Sequence, residues 1–352
     1  MNSNTICFSS AQELARNIQT KEVSAREEME VFLSHIELVN PKVNAIVSLN
    51  EELALKGADE ADKRLMAGEA VGPLHGLPTA IKDLVDANGF PTTQGSILFK
   101  DRMATEDNLV AERLRHAGAV IIGKTNVPEF GAGAHTFNNL FGKTLNPYHL
   151  ERTAGGSSGG AAVAVATGML PLADGSDTGG SLRFPAAFNN VVGLRTSPGR
   201  VPRYPKAAPF SPQAVQGPIA RTVSDAAYMM SVIAGPDDRS PIANEEPGSK
   251  FLESLNIEMK GLKIAFSPDL GGELPVDSDV RHVFEKQIKV FQELGCEVEE
   301  AYPDFSGADE LFRIFRAHEM ESSMGKLLDE HRDILKPSLA WNIEVGRQLK
   351  GS

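Results

Sequence analysis

Two Gly-Ser clusters and one lysine carry the chemistry that this sequence offers. Gly155-Gly156-Ser157-Ser158-Gly159-Gly160 leads straight into an apolar, helix-forming run, which a flexible linker would not do. Glycines there let the backbone approach a neighbour closely, and the hydroxyls fall at a helix N-terminus, where negative charge is favoured. Ser181 lies in Gly175-Ser-Asp-Thr-Gly-Gly-Ser-Leu-Arg-Phe-Pro185, directly after two glycines. A backbone that curls at such glycines can aim successive N–H groups at one point, as an oxyanion hole requires. A serine nucleophile also needs a base. The nearest histidine, His149, sits in a Pro-flanked polar stretch. A lysine can serve if burial brings its pKa down from about 10.4 toward neutrality. Lys82, after the apolar strand-like run Leu77-Pro-Thr-Ala-Ile81, is placed for that. Singly, each feature has a plainer reading as a Gly-rich turn or an exposed strand-end lysine. Together the three clusters are chemically consistent.

These segments resemble the three signature blocks of the amidase signature family: Gly76-Leu-Pro-Thr-Ala-Ile-Lys-Asp83, Gly155 to Gly160, and Gly175 to Pro185. The stretches from Gly118 to Phe130 and from Asn138 to Pro147 are similar to connecting segments of that family. Agreement runs from about residue 9 to about residue 350. The resemblance implies an α/β fold with a large mixed central β-sheet flanked by helices on both faces. It also implies a Ser–cisSer–Lys triad. Ser181 would be the acyl-accepting nucleophile. Ser157, after a cis peptide bond, would pass a proton, and Lys82, neutral at rest, would be the ultimate base. Thr178, Gly179, Gly180 and Ser181 would supply oxyanion-hole amides. Gly131 matches a pocket-wall position and, with Ser157, would face substrate. Ser158 would support the site, and Asp177 and Arg183, of opposite charge, would pin the nucleophile loop.

The activity so implied is hydrolysis of a small carboxylic acid amide to the acid and ammonia or an amine, through an acyl-enzyme on Ser181. Such an amidase is a hydrolase of C–N bonds other than peptide bonds, and needs no metal, nucleotide or organic cofactor. Two alternatives stand beside it. One is the glutaminase subunit of a tRNA-dependent amidotransferase, which works with a partner subunit. Against it, Ala134-His-Thr-Phe-Asn-Asn139 looks more like stand-alone amidases. The other is a catalytically incomplete fragment that only binds. Chains of the family run on past this length, so the fold is expected to be C-terminally incomplete here. The residues leave open which amide is used. They also leave open the oligomeric state, a homodimer included.

The elements that must position these groups are partly readable. Ser10-Ala-Gln-Glu13 and Ser24-Ala-Arg-Glu27 are capping-box patterns, the second before Met29, Leu33 and Ile36 on one helical face. A helix is predicted over 51–67, with Ala54, Ala58, Ala61 and Leu65 in register. Others are predicted over 107–116, 160–168 and 223–234, with a buried strand over 119–122. Beyond a polar connector come a strand (262–267), a helix (278–294), a strand (296–300) and a long helix (308–330). That alternation indicates α/β architecture. The expected organisation is one domain with a helical part (1–70), a catalytic core (71–235), a linker (236–250) and a C-terminal α/β segment (251–352).

Composition narrows the partners. The 352 residues carry 35 basic and 47 acidic side chains, a net charge of −12, which argues against a general nucleic-acid binder. Two cysteines, Cys7 and Cys296, cannot build a disulfide framework and favour a reducing compartment. The start is polar, and the most apolar stretch, 161–173, falls short of the roughly 20 residues of a spanning helix. A cytoplasmic protein away from membranes is expected.

Several motifs are decoys. Gly118 to Thr125 has P-loop spacing, but its Ala-Val-Ile-Ile reads as a strand and Pro128 discourages the helix that should follow. Thr79-Ala-Ile-Lys82 and His331-Arg-Asp333 mimic kinase motifs without the companion Gly-rich loop and asparagine. Ser323-Met-Gly-Lys326 lacks its Lys-Thr-Gly partner. A nucleophile elbow at Ser157, with His282, His318 or His331 downstream, would leave the Lys82 and Ser181 segments without a role.

Overall fold

The computed structural model describes residues 3–253 and 255–350. Two compact units emerge: one runs to residue 253 and resumes at Ile314, and the other lies between them.

In the larger unit, short polar signals start the helices. Ser10 caps Ala11–Gln19 by accepting from the Glu13 N–H. Ser24 and Glu27 form the full reciprocal box at the head of Ala25–Val43. That helix buries Met29, Phe32, Leu33 and Ile36, the face that the sequence pattern indicates. Glu51–Met66 buries Ala54, Ala58 and Ala61, with Leu65 at the margin. The helices Leu109–His116 and Val223–Ile233 also lie within the predicted spans. Ser3–Phe8, in a stretch with no helical signal in the sequence, is helical as well.

The mixed sheet consists of two three-stranded halves. In one, Val120–Thr125 sits between Ile46–Leu49, antiparallel to it, and Pro78–Lys82, parallel to it. In the other, Val215–Ala220 sits between Leu172–Asp177 and Val192–Gly193, antiparallel to both. The halves meet where Pro78–Lys82 lies beside Leu172–Asp177, and side chains rather than a backbone ladder join them. Thr79 Oγ1 donates to the Leu172 carbonyl at 3.3 Å, and the Lys82 N–H donates to Asp174 Oδ1 at 2.7 Å.

Gly159–Ala166 packs on strands of both halves and is apolar all round, as a fully buried helix should be. Its first residues must be glycine. A Cβ on Gly160 would lie 2.3 Å from the Asn126 nitrogen, and one on Gly159 would lie 2.3 Å from Thr136 Oγ1. This close approach is what delivers the Gly-Ser loop to the sheet seam.

The smaller unit joins parallel strands Lys263–Phe266 and Glu297–Glu300 through the helix Ser278–Glu293, with Phe266 stacked on Phe284. Sequence pattern and structure agree on all three elements. The helix Ala308–His331 follows. Its later turns and Pro337–Gln348, a helix with Pro at its start and outside the predicted elements, belong to the larger unit. There Leu328, Leu335, Leu339 and Ile343 pack with Leu98, Phe130 and Ala132. Among the described residues, no helix is long and apolar enough to cross a membrane.

Candidate active site

Lys82 ends a strand whose five residues are all buried, and its own side chain is 0% exposed. Its amine lies 2.8 Å from Ser157 Oγ, 2.7 Å from Ser158 Oγ and 2.9 Å from Ser176 Oγ, with the Ser176 carbonyl at 3.3 Å. Burial brings its pKa down to about 7. The negative charges of Asp174 and Asp177 oppose that fall, and Arg203 adds to it. A strand-end lysine would ordinarily reach solvent; this one faces hydroxyls in a buried seam.

The Ser157 segment owes its course to its glycines. Gly155 has φ +72°, and a Cβ there would sit 3.0 Å from Pro185 Cα. The Gly156–Ser157 peptide bond is cis. Thr136 anchors both ends of the loop, donating its N–H to the Gly155 carbonyl and accepting from the Gly159 N–H. Ser157 and Ser158 are both buried. Ser158 is tied to the Asp174 strand as well, because its Oγ accepts from the Ser176 N–H at 3.3 Å. Gly131 stands beside them: a Cβ on it would lie 3.7 Å from Ser157 Oγ.

The Ser181 loop is held from below by one carboxylate. Asp177, fully buried, accepts from the Gly180 and Leu182 N–H groups, from Arg183 Nε at 3.0 Å and from Arg195 Nη1 at 2.8 Å. Burial alone would raise its pKa, but the hydrogen bond from Arg183, those amides and the guanidinium charge outweigh it and hold it at about 2. The Ser158 N–H donates to the Ser181 carbonyl at 3.2 Å, joining the two serine loops. Ser181 itself is half-buried.

One expected donor needs correction. The Gly180 N–H points at Asp177 Oδ1, 2.7 Å away, and so cannot also be presented to an oxyanion. Among the described residues, the Thr178, Gly179 and Ser181 N–H groups have no protein acceptor. Gly180 has a different use. A Cβ on it would strike the Phe184 ring at 2.4 Å, so glycine lets the loop close over the helix Arg183–Asn189.

An amidase family profile matches residues 27–336. The chain belongs to the amidase signature family. It is 42% identical over 302 residues to the acylamidase of Rhodococcus erythropolis, covering 86% of this chain and 63% of that one. It is also 43% identical over 295 residues to a glutamyl-tRNA(Gln) amidotransferase chain of Carboxydothermus hydrogenoformans, covering 83% and 60%. The chain thus spans about 60% of the length of these curated relatives. A solved bacterial aryl acylamidase of the same family superposes with a TM-score of 0.91 at 34% identity, over 98% of this chain and 73% of that one.

Within this amidase signature chain, the structure brings Lys82, Ser157, Ser158 and Gly131 together and ties Asp177 to Arg183. It leaves His149 exposed on the strand His149–Thr153. The P-loop decoy is a strand, with Lys124 buried inside it. Ser176, Arg195 and Asp174 join the site beyond the residues that the sequence singles out. Asp174 and Ser176 alternate on one face of their strand, a usable signal once that strand is known to lie against Lys82. Arg195, 18 residues beyond Asp177, has no local signature.

Proposed function

We infer that this chain is an amidase that acts through an acyl-enzyme on Ser181, with Ser157 as proton relay and Lys82 as base. The observation that carries the reading is a fully buried amine 2.8 Å from Ser157 Oγ. An ammonium could only donate to the surrounding hydroxyls. A neutral amine can instead accept the Ser157 proton while donating to Ser158 and Ser176. Ser157 then takes the Ser181 proton as that hydroxyl adds to the amide carbonyl. The Thr178, Gly179 and Ser181 N–H groups are the donors available to the oxygen as it becomes negative. The proton returns along the same path to the leaving nitrogen, ammonia or an amine departs, and water attacking the ester releases the acid and restores Ser181. Gly131, at φ +68° and with Leu84 2.6 Å from where a Cβ would stand, lets the backbone pass close to Ser157. This chemistry draws on protein groups alone and takes a small amide as substrate.

The reading is tested with a panel of aliphatic, aryl and amino-acid amides, following released ammonia or amine. The wild-type protein should turn over at least one class, and S181A none. Near-normal turnover by K82A would end the assignment. The match to amidotransferase chains supports a second reading, a glutaminase that works with a partner. Glutamine as the one amide hydrolysed, together with co-purification of a second chain, would favour it.

A further inference from the structure

The seam between Pro78–Lys82 and Leu172–Asp177 contains a carboxylate with no role in the reaction described above. Asp174 has no exposed surface. One of its oxygens accepts the peptide N–H of Lys82, and among the described residues the other has no hydrogen-bond partner. A carbonyl or an asparagine amide would satisfy that N–H without introducing a charge. A buried carboxylate is costly unless other charges face it, so the charge itself calls for an explanation.

The charged groups around it supply one. Asp174 interacts with Lys82 on the adjacent strand and with Lys124 on the strand beyond, both buried. Lys124 is also within reach of Asp83 and Asp86. Lys82 interacts in turn with Asp174, Asp177 and Arg203. Asp177 is committed to two guanidiniums, those of Arg183 and Arg195, which offset its charge. No guanidinium is paired with Asp174 among the described residues. Desolvation makes an amine a weaker base, and a base too weak cannot draw a proton from a serine relay. A nearby anion with no guanidinium of its own works against that loss.

We propose that Asp174 is the positioning residue for Lys82: docked on the lysine's own peptide N–H, its carboxylate fixes the end of the lysine's strand in the seam and supplies the charge that keeps the amine basic. The proposal rests on reading Lys82 as the base. Asp174 and Lys82 then titrate as a coupled pair. Burial, opposed by the Lys82 N–H and the two lysine charges, raises the Asp174 carboxyl to about 6, just below the amine.

The test is the pH profile of kcat/KM for amide hydrolysis in wild type, D174N and D174L, with thermal melts to confirm folding. D174N keeps an acceptor for the Lys82 N–H but loses the charge. Its acid limb should move down by about one pH unit and its plateau should fall several-fold, because the amine is a weaker base. D174L should show the same limb movement and a further loss of plateau of about tenfold, having lost the acceptor too. If only one of the two folds, that variant carries the same limb prediction. An acid limb coincident with wild type in a folded variant overturns the proposal, since a merely structural carboxylate would lower the plateau without moving the limb. A wild-type enzyme that K82A does not impair fails at the earlier step, the assignment of the base.

Discussion

Lys82 and Lys124 make a natural pair for comparison. They lie on neighbouring parallel strands, with Ile81 opposite Lys124 in register, and neither has any exposed surface. Burial pushes both amines toward the neutral form. Their partners differ. Lys82 meets three hydroxyls, groups that can donate as well as accept, and more distantly the Ser176 carbonyl at 3.3 Å. Lys124 meets the Val85 carbonyl, Thr92 Oγ1 at 2.9 Å and the Asp83 carboxylate at 3.7 Å. Asp83 in turn accepts from the Thr93 N–H and hydroxyl. A carbonyl and a carboxylate can only accept and have no proton to give an amine, so the Lys124 shell suits a fixed cation that ties its strand to the loop after Lys82. Burial is common to the two lysines; the proton-donating capacity of the partners separates a base from a strut.

The sharpest way to break this contrast is to remove each amine in turn. K82M should lower kcat/KM by about 10⁴-fold while the protein still folds, because an apolar chain of similar length fills the seam and Ser158 Oγ keeps the Ser176 N–H and carbonyl as partners. In the unmodified enzyme, kcat/KM should rise with pH through about 7 and then level, as Lys82 loses its proton. A limb in the ordinary carboxylate range would assign the base elsewhere. K124M should act on folding instead, costing about 3–5 kcal/mol in denaturant titration because Asp83 is left buried and unpaired. The double variant K124M/D83L should recover most of that loss. Selective loss of activity in a stable K124M would place Lys124 in the chemistry and collapse the distinction.

Glu28 extends the contrast to a buried group with neither kind of partner. Both of its carboxylate oxygens lack a hydrogen bond among the described residues, and burial raises its pKa to about 8. A pKa higher in the folded than in the unfolded chain means that stability falls as pH rises from the unfolded value toward 8. E28M should flatten that slope in melts between pH 5 and 8 and stabilise the protein at pH 8 by about 1–3 kcal/mol. The smallest expected effect concerns the second hydroxyl on Lys82. S158A should slow turnover by about tenfold, because Ser158 holds the amine without lying on the proton path. A loss as large as that of S157A would mean that the two serines share the relay.

Much of this is legible without coordinates. The Ser24–Glu27 box, the apolar face of Met29, Leu33 and Ile36, and the strand–helix–strand pattern after residue 262 depend on interactions within a few residues. The Gly-Ser loops and Lys82 also stand out, since each needs a residue type that few other positions tolerate. What escapes depends on distant pairs. Ser176 and Asp174 gain their roles by lying more than 90 residues from Lys82 in sequence and across one seam from it in space. Gly180 resembles an oxyanion donor because its neighbours do; only the position of the Asp177 carboxylate shows where its N–H points.

The order of residues alone specifies which reactive groups the chain carries, and where its glycines permit backbones to crowd. It can do so because side-chain chemistry and backbone freedom are properties of single residues and their immediate neighbours. Which of two buried lysines faces hydroxyls and which a carboxylate is settled by folding. Proton affinity is set by the dielectric and the charges within a few ångströms, and those arrive from strands far apart in the chain.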